Sequence, residues 1–227
     1  MPIDVYPVSQ ELAVYLRKKL LAWEQNNYPA FPWRDEIPPF HALVAEVLLQ
    51  RTRAEQVVPV YLNFVRVFPN PASLAQTNIP DIEKVIAPLG LRWRARFLHE
   101  LGKELVADGS VPANLVSLRK LSGVGPYAAS AYLSFHVGRR VPIVDSNVVR
   151  FYGRFFGFRT GPETRRDRQL LDLADSIMPK RAFKRFNYAL IDFTRAICRP
   201  KPLHDICPVA KRCAFYRERF RGEFNFT

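Results

Sequence analysis

The sequence predicts an all-α fold, on three observations. Apolar residues recur at helical spacing along most of the chain, no segment sustains the period-two alternation of a half-buried strand, and short clusters of Pro and Gly separate the periodic segments. In chain order the expected helices are Ser9 to Glu24, His41 to Phe68, Pro71 to Ala75, Pro80 to Ile86, Trp93 to Asp108, Leu115 to Leu121, Pro126 to Val137, Ser146 to Phe156, Asp167 to Ile177 and Phe183 to Ile197. Pro38-Pro39 precedes the second of these, which is expected to break near Pro59. Pro69-Asn70-Pro71, Gly109, Gly123 to Gly125, Gly161-Pro162 and Pro179 end the later ones. After Ile197 the periodicity gives way to Pro, Lys, Cys and Arg, a tail expected to need a cross-link or a metal for order.

Composition narrows the partners. Against 34 Lys and Arg stand 21 Asp and Glu, a formal net charge of +13, which favours a polyanion such as nucleic acid or an anionic membrane. No apolar run reaches the ~18 residues needed to span a bilayer, and the segment from Met1 to Glu11 lacks the basic and apolar regions of a signal peptide. A cytoplasmic, nucleoid-associated protein is expected, monomeric and without membrane contact. Cys198, Cys207 and Cys213 all fall in the last thirty residues; an odd, clustered set suits an intracellular metal or cluster site better than disulfides.

The segment "LSGVGPYAAS" reads as helix, tight turn and helix, with Pro126 suited to the first turn of the second helix. Gly123 and Gly125 permit positive φ and a close backbone approach, and the free N–H groups at the following helix start can hold a phosphate. Taken alone, the two glycines also read as a plain turn between packed helices. Asp145, in "VPIVDSNVVR", stands where an apolar run gives way to a helix, and in isolation reads as an N-cap.

Together, "LSGVG" and "VDSNVVR" resemble the signature of the helix-hairpin-helix DNA glycosylases, L-x-G-V-G followed one helix later by V-D-x-N-V-x-R. "FPWR" at 31–34, "AEVLLQRT" at 45–52, "PLGLRWRARFL" at 88–98 and "FNYALIDFT" at 186–194 resemble the branch that contains the adenine and the thymine mismatch glycosylases. The resemblance runs in order along nearly the whole chain. It implies a two-lobed fold: a six-helix barrel at 31–141 holding the helix-hairpin-helix at 114–137, and a second helical lobe from 1–30 plus 142–227 with a metal-cluster loop at 198–213.

For chemistry, the resemblance implies that Asp145 faces C1′ of a flipped-out nucleotide and stabilises the positive charge developing as the glycosidic bond breaks. Glu46 would sit across the pocket. It is the single charge in "HALVAEVLLQ", and a carboxylate held among apolar neighbours suits proton transfer at the leaving base or the attacking water. Relatives that also cleave the strand carry a lysine two residues after the second hairpin glycine; here that position is Tyr127, which forms no imine. The implied enzyme is therefore monofunctional, leaving an abasic site. Gln50 matches a position that enters the duplex beside the extruded base, and Leu91 a wedge position. Lys120 reads as a phosphate contact, its amine standing off the motif position, Arg92, Arg94 and Arg96 as backbone contacts or a solvated face, and Leu91 and Tyr127 have the plainer readings of a core leucine and a packing aromatic.

The base pocket divides. Ala54 and Tyr127 resemble the thymine mismatch branch, whereas Tyr188 matches neither branch. The adenine enzymes carry a further C-terminal domain, while this sequence ends at Thr227. The expected substrate is double-stranded DNA with thymine or uracil opposite guanine, adenine opposite guanine or 8-oxoguanine being the alternative. A non-catalytic DNA-binding or damage-sensing protein is the other class; it would not require Glu46 and Asp145 together.

In the tail, "CRPKPLHDICPVAKRC" reads C-x5-H-x2-C-x5-C, where the family's loop is C-x6-C-x2-C-x5-C and holds a 4Fe-4S cluster. The resemblance implies ligation by Cys198, His204, Cys207 and Cys213. Imidazole ligates cluster iron in Rieske centres, a Cys3His zinc site is chemically reasonable, and loss of the metal altogether is the third option. The loop would order the basic tail, presenting Lys211 and Arg212 to phosphates.

Overall fold

The computed structural model describes residues 8–219. Among these the regular structure is helical, with no strands, as expected. No described helix is long and apolar enough to cross a membrane. The chain divides into two compact units: one is continuous, Pro29–Arg139, and the other joins the chain up to Tyr28 to the chain from Arg140 onward. The ends of the discontinuous lobe expected from the sequence, 1–7 and 220–227, lie outside the described residues.

Helix α1 (Gln10–Glu24) starts where the Ser9 side chain accepts the Leu12 N–H, and buries Leu16 and Leu20. The continuous unit follows. Its helices are α2 (Pro39–Leu48), α3 (Ala54–Val67), α4 (Pro71–Gln76), α5 (Ile79–Ile86), α6 (Arg94–Asp108), α7 (Leu115–Leu118) and α8 (Pro126–Tyr132). Asn70, Asn78 and Asn114 each cap the helix after them by accepting the N–H three residues on. Helix α6 packs against α4 and α5, and α2 against α8.

Two expectations in this unit need correction. The second helix does not break at Pro59, which lies inside α3; the break is at Leu49 to Arg53, where Arg51 takes a left-handed φ of 58°. Pro59 is exposed on α3, so its ring meets solvent and not the core, and the helix runs on with one backbone hydrogen bond fewer. The helix after the hairpin is not uniform either. Past Tyr132 it widens into a π-helical turn, Leu133–Val137, stopped by Gly138 at φ 74°.

The discontinuous unit contains α9 (Ser146–Phe156), α10 (Arg168–Ile177), α11 (Phe183–Ala196) and a short α12 (Ala214–Arg219). Its core takes Leu16 and Leu20 of α1, Phe151, Tyr152 and Phe155 of α9, Leu170 and Ile177 of α10, and Phe186 and Phe193 of α11. Full burial of such side chains contributes roughly 1.5–3 kcal/mol each. Helix α12 lies beyond the last helix that the periodicity predicts, and the tail is anchored by long-range hydrogen bonds. Arg150 donates to the Thr194 and Cys198 carbonyls, Arg154 to those of Arg199 and Pro200, and α12 packs on α9. Six residues are too few for a helix to hold by itself, so α12 depends on that contact.

Candidate active site

In the continuous unit, α2 is buried along nearly its whole length, and Glu46 is carried into the interior with it at 2% exposure. A buried carboxylate needs a polar partner. Among the described residues that partner is His136, whose Nε2 lies 3.2 Å from Glu46 Oε1. His136 stands in the π-helical turn and was not singled out from the sequence. The available signal was a lone imidazole in the apolar run "AYLSFHVG".

The hairpin follows α7. Gly123 has φ 77°, the left-handed region, and a Cβ there would meet the Phe97 Cβ at 3.2 Å. Gly125 differs from expectation: its φ of −79° is open to any residue, and a Cβ on it would meet nothing within 4 Å. It therefore leaves the N-terminus of α8 uncovered. Glu104 of α6 pins the turn, accepting both the Ser122 N–H and hydroxyl at 2.7 Å each.

Gln50 reaches the same turn, its side-chain amide donating to the Gly123 carbonyl at 2.9 Å. A cavity of about 310 Å³ lies beside it, walled by Val47, Trp93, Arg94, Phe97 and Leu121. Arg94 corrects the reading of the three nearby arginines. Arg92 and Arg96 are exposed, but Arg94 is buried, donating to the Leu48 carbonyl and the Thr52 hydroxyl, so it braces the loop between α2 and α3. Burial, with the Arg51 charge adding, pushes its pKa down to about 10. Leu91, Ala54 and Tyr127 are half-buried, and Lys120 is exposed.

In the other unit Asp145 is the N-cap of α9. Its Oδ1 accepts the Val148 N–H at 2.7 Å and its Oδ2 the Asn147 amide at 2.8 Å. Arg150, one turn on, donates to Asn147 Oδ1 at 2.9 Å, so the side chain that steadies Asp145 is itself held. Tyr188 is buried on α11, with its ring edge-on to Tyr28 at 5.8 Å. Thus Glu46, Gln50, Ala54, Leu91 and the hairpin belong to one unit, and Asp145, Tyr188, Cys198, His204, Cys207 and Cys213 to the other.

Cys198 is buried in the core of its unit, and Cys207 and Cys213 pack against the same cluster. Burial pushes the Cys207 thiol up to about 11, with the Cys213 and Cys198 charges adding to it, and Cys213 is raised by burial and by Cys198. His204 has other company: its ring lies 5.2 Å from Tyr216 and 6.0 Å from Phe215, and its pKa is lowered by burial, then by Arg219 and Arg154. A single zinc ion draws four donors to within about 2.0–2.3 Å of one point. Among the described residues no group of three or more His, Cys, Asp or Glu is arranged to hold such an ion. Arg154 lies between two of the thiols: its guanidinium donates to Cys198 Sγ at 3.7 Å and its carbonyl accepts the Cys213 thiol at 3.4 Å.

The sequence profile of the HhH-GPD superfamily base excision DNA repair proteins matches residues 44–174. The chain belongs to that superfamily. The matched stretch of this HhH-GPD protein takes in Glu46, Gly123, Gly125 and Asp145, and ends before Tyr188 and the tail. The chain is 39% identical over 216 residues to the thymine/uracil-DNA glycosylase of Pyrobaculum aerophilum, covering 90% of this chain and 93% of that protein. It is 37% identical to the thymine-DNA glycosylase of Aeropyrum pernix, covering 88% and 94%. The solved structure of a thermostable thymine-DNA glycosylase superposes with a TM-score of 0.83 at 30% identity, over 92% of this chain and 98% of that one.

Proposed function

We propose that this HhH-GPD protein is a monofunctional, mismatch-specific DNA glycosylase that hydrolyses the glycosidic bond of thymine or uracil opposite guanine. The reading is carried by the coincidence of a buried Glu46, a helix-capping Asp145 and end-to-end likeness to thymine and thymine/uracil glycosylases. Asp145 supplies a fixed negative charge to the sugar as the C1′–N bond breaks and its electron pair leaves with the base. Holding that charge in place beforehand, by Asn147 and the Val148 N–H, removes the cost of reorganising it during reaction. Water then bonds to C1′ and gives up a proton, and Glu46 is the group that handles it. Tyr127, in place of an amine, leaves the strand intact.

Binding uses the rest of the set. Gly125 lets a phosphate approach the start of α8, Lys120 and Arg92 meet the backbone, Leu91 wedges the duplex, and Gln50 stands by the gap left by the flipped base. Ala54 of the continuous unit and Tyr188 of the discontinuous one are each assigned to recognition of the base. The protein works as a monomer on chromosomal DNA.

The cofactor proposed for the tail, on the loop spacing C-x5-H-x2-C-x5-C, is a 4Fe-4S cluster held by Cys198, Cys207 and Cys213, with His204 at the fourth ligand position. When bound it would order the tail and take no part in base removal. Iron and sulfide analysis with a visible absorption spectrum tests this; a colourless, metal-free and fully folded protein overturns it.

A panel of duplexes with G·T, G·U, A·G and A·8-oxoguanine pairs, each incubated with the protein and then treated with alkali, tests the activity. Alkali-labile sites are expected at thymine or uracil. Cleavage at adenine alone would mean the adenine specificity, and binding without cleavage would mean a sensor.

A further inference from the structure

We infer that His136 is a positioning residue for Glu46, setting which carboxylate oxygen is free for proton transfer. Three observations carry it. The Glu46 and His136 side chains are 3% and 8% exposed, so their contact, Oε1 to Nε2 at 3.2 Å, is made out of water, where a hydrogen bond counts for more. Among the described residues no other polar group engages the Glu46 carboxylate, so its orientation depends on this bond. Finally, His136 lies in a π-helical turn, a rare widening that re-aims side chains and recurs at functional sites.

With Nε2–H donating to Oε1, that oxygen is occupied and the carboxylate plane is held; Oε2 is the one left for the reacting partner. Tyr132, one turn before His136, lies with its ring 6.0 Å from the imidazole and limits its swing. The inference rests on the proposed role of Glu46, and the test separates the two.

Single-turnover base release and duplex affinity are measured for wild type, His136→Leu, His136→Gln and Glu46→Gln, and for the double variant H136L/E46Q, using whichever duplex the panel shows to be processed fastest. Removal of a general acid or base costs about 10²–10⁴-fold in rate, and loss of its orientation costs part of that. His136→Leu is expected to slow release about 10–100-fold with affinity changed less than about threefold, because only the positioned proton transfer is disturbed. His136→Gln, whose amide N–H can take the place of Nε2–H, is expected to recover most of the rate. The double variant should be no slower than Glu46→Gln alone, since the histidine acts through that carboxylate.

Full-rate release by His136→Leu beside an inactive Glu46→Gln overturns the positioning role and leaves the role of Glu46 standing. An additive loss in the double variant, or a Gln variant as slow and as heat-labile as Leu, also overturns it, marking His136 as ordinary core. Full-rate release by Glu46→Gln instead overturns the assignment of Glu46 itself.

Discussion

Asp145 is asked to do two jobs, and Asp145→Asn separates them. As N-cap it holds the Val148 N–H through Oδ1 at 2.7 Å, and through Oδ2 it holds Asn147. Asparagine caps about as well as aspartate through Oδ1, so the helix loses the favourable placement of a negative charge at its start, about 0.3–1 kcal/mol, and the Asn147 bond that an NH2 cannot accept, about 0.5–1.5 kcal/mol. For a chain of this size 1 kcal/mol moves Tm by roughly 2–4 °C, so Asp145→Asn should melt within about 10 °C of wild type. Asp145→Ala loses the cap as well, about 1 kcal/mol more, and should melt correspondingly lower. Catalysis responds on another scale: removing one preorganised electrostatic stabiliser costs about 10²–10³-fold in rate, roughly 2.7–4 kcal/mol. The assays are thermal unfolding by circular dichroism and single-turnover base release on a G·U duplex. Asp145→Asn releasing base within threefold of wild type, or destabilised as much as Asp145→Ala, would refute the division of labour.

The two hairpin glycines should respond oppositely. Gly123→Ala forces a side chain into left-handed φ against Phe97 and should cost about 1–2 kcal/mol in denaturant unfolding. Gly125→Ala should leave stability unchanged and weaken duplex binding, since the added methyl meets only what docks there; unchanged affinity would remove that glycine from the DNA contact. Glu104→Ala deletes the carboxylate that pins Ser122, and should raise hydrogen exchange at residues 121–125 while leaving α2 protected. Wild type should give no borohydride-trapped DNA adduct, whereas Tyr127→Lys should give one; trapping by the wild type would show an amine at work and end the monofunctional reading.

Much of the molecule was legible in the order of its residues. Helical spacing and the Pro and Gly breakers determined the all-α class and most helix limits, because burial of one helical face and the loss of a backbone donor are local properties. The hairpin and the aspartate at the start of α9 were equally legible, since a left-handed glycine and an N-cap are set within a few residues. Nothing local distinguishes Arg94 from Arg92 and Arg96, and only packing shows that it turns inward to brace Leu48 and Thr52. Pro59 looked like a break until the exposed side of α3 was found to accommodate it. Sequence could name Glu46 as a lone charge in an apolar run, but its partner stands 90 residues away in a π-helical turn. Contacts between distant residues depend on how helices pack, and for that reason the tertiary structure alone joined His136 to Glu46, Glu104 to the hairpin and the tail to Arg154 of α9.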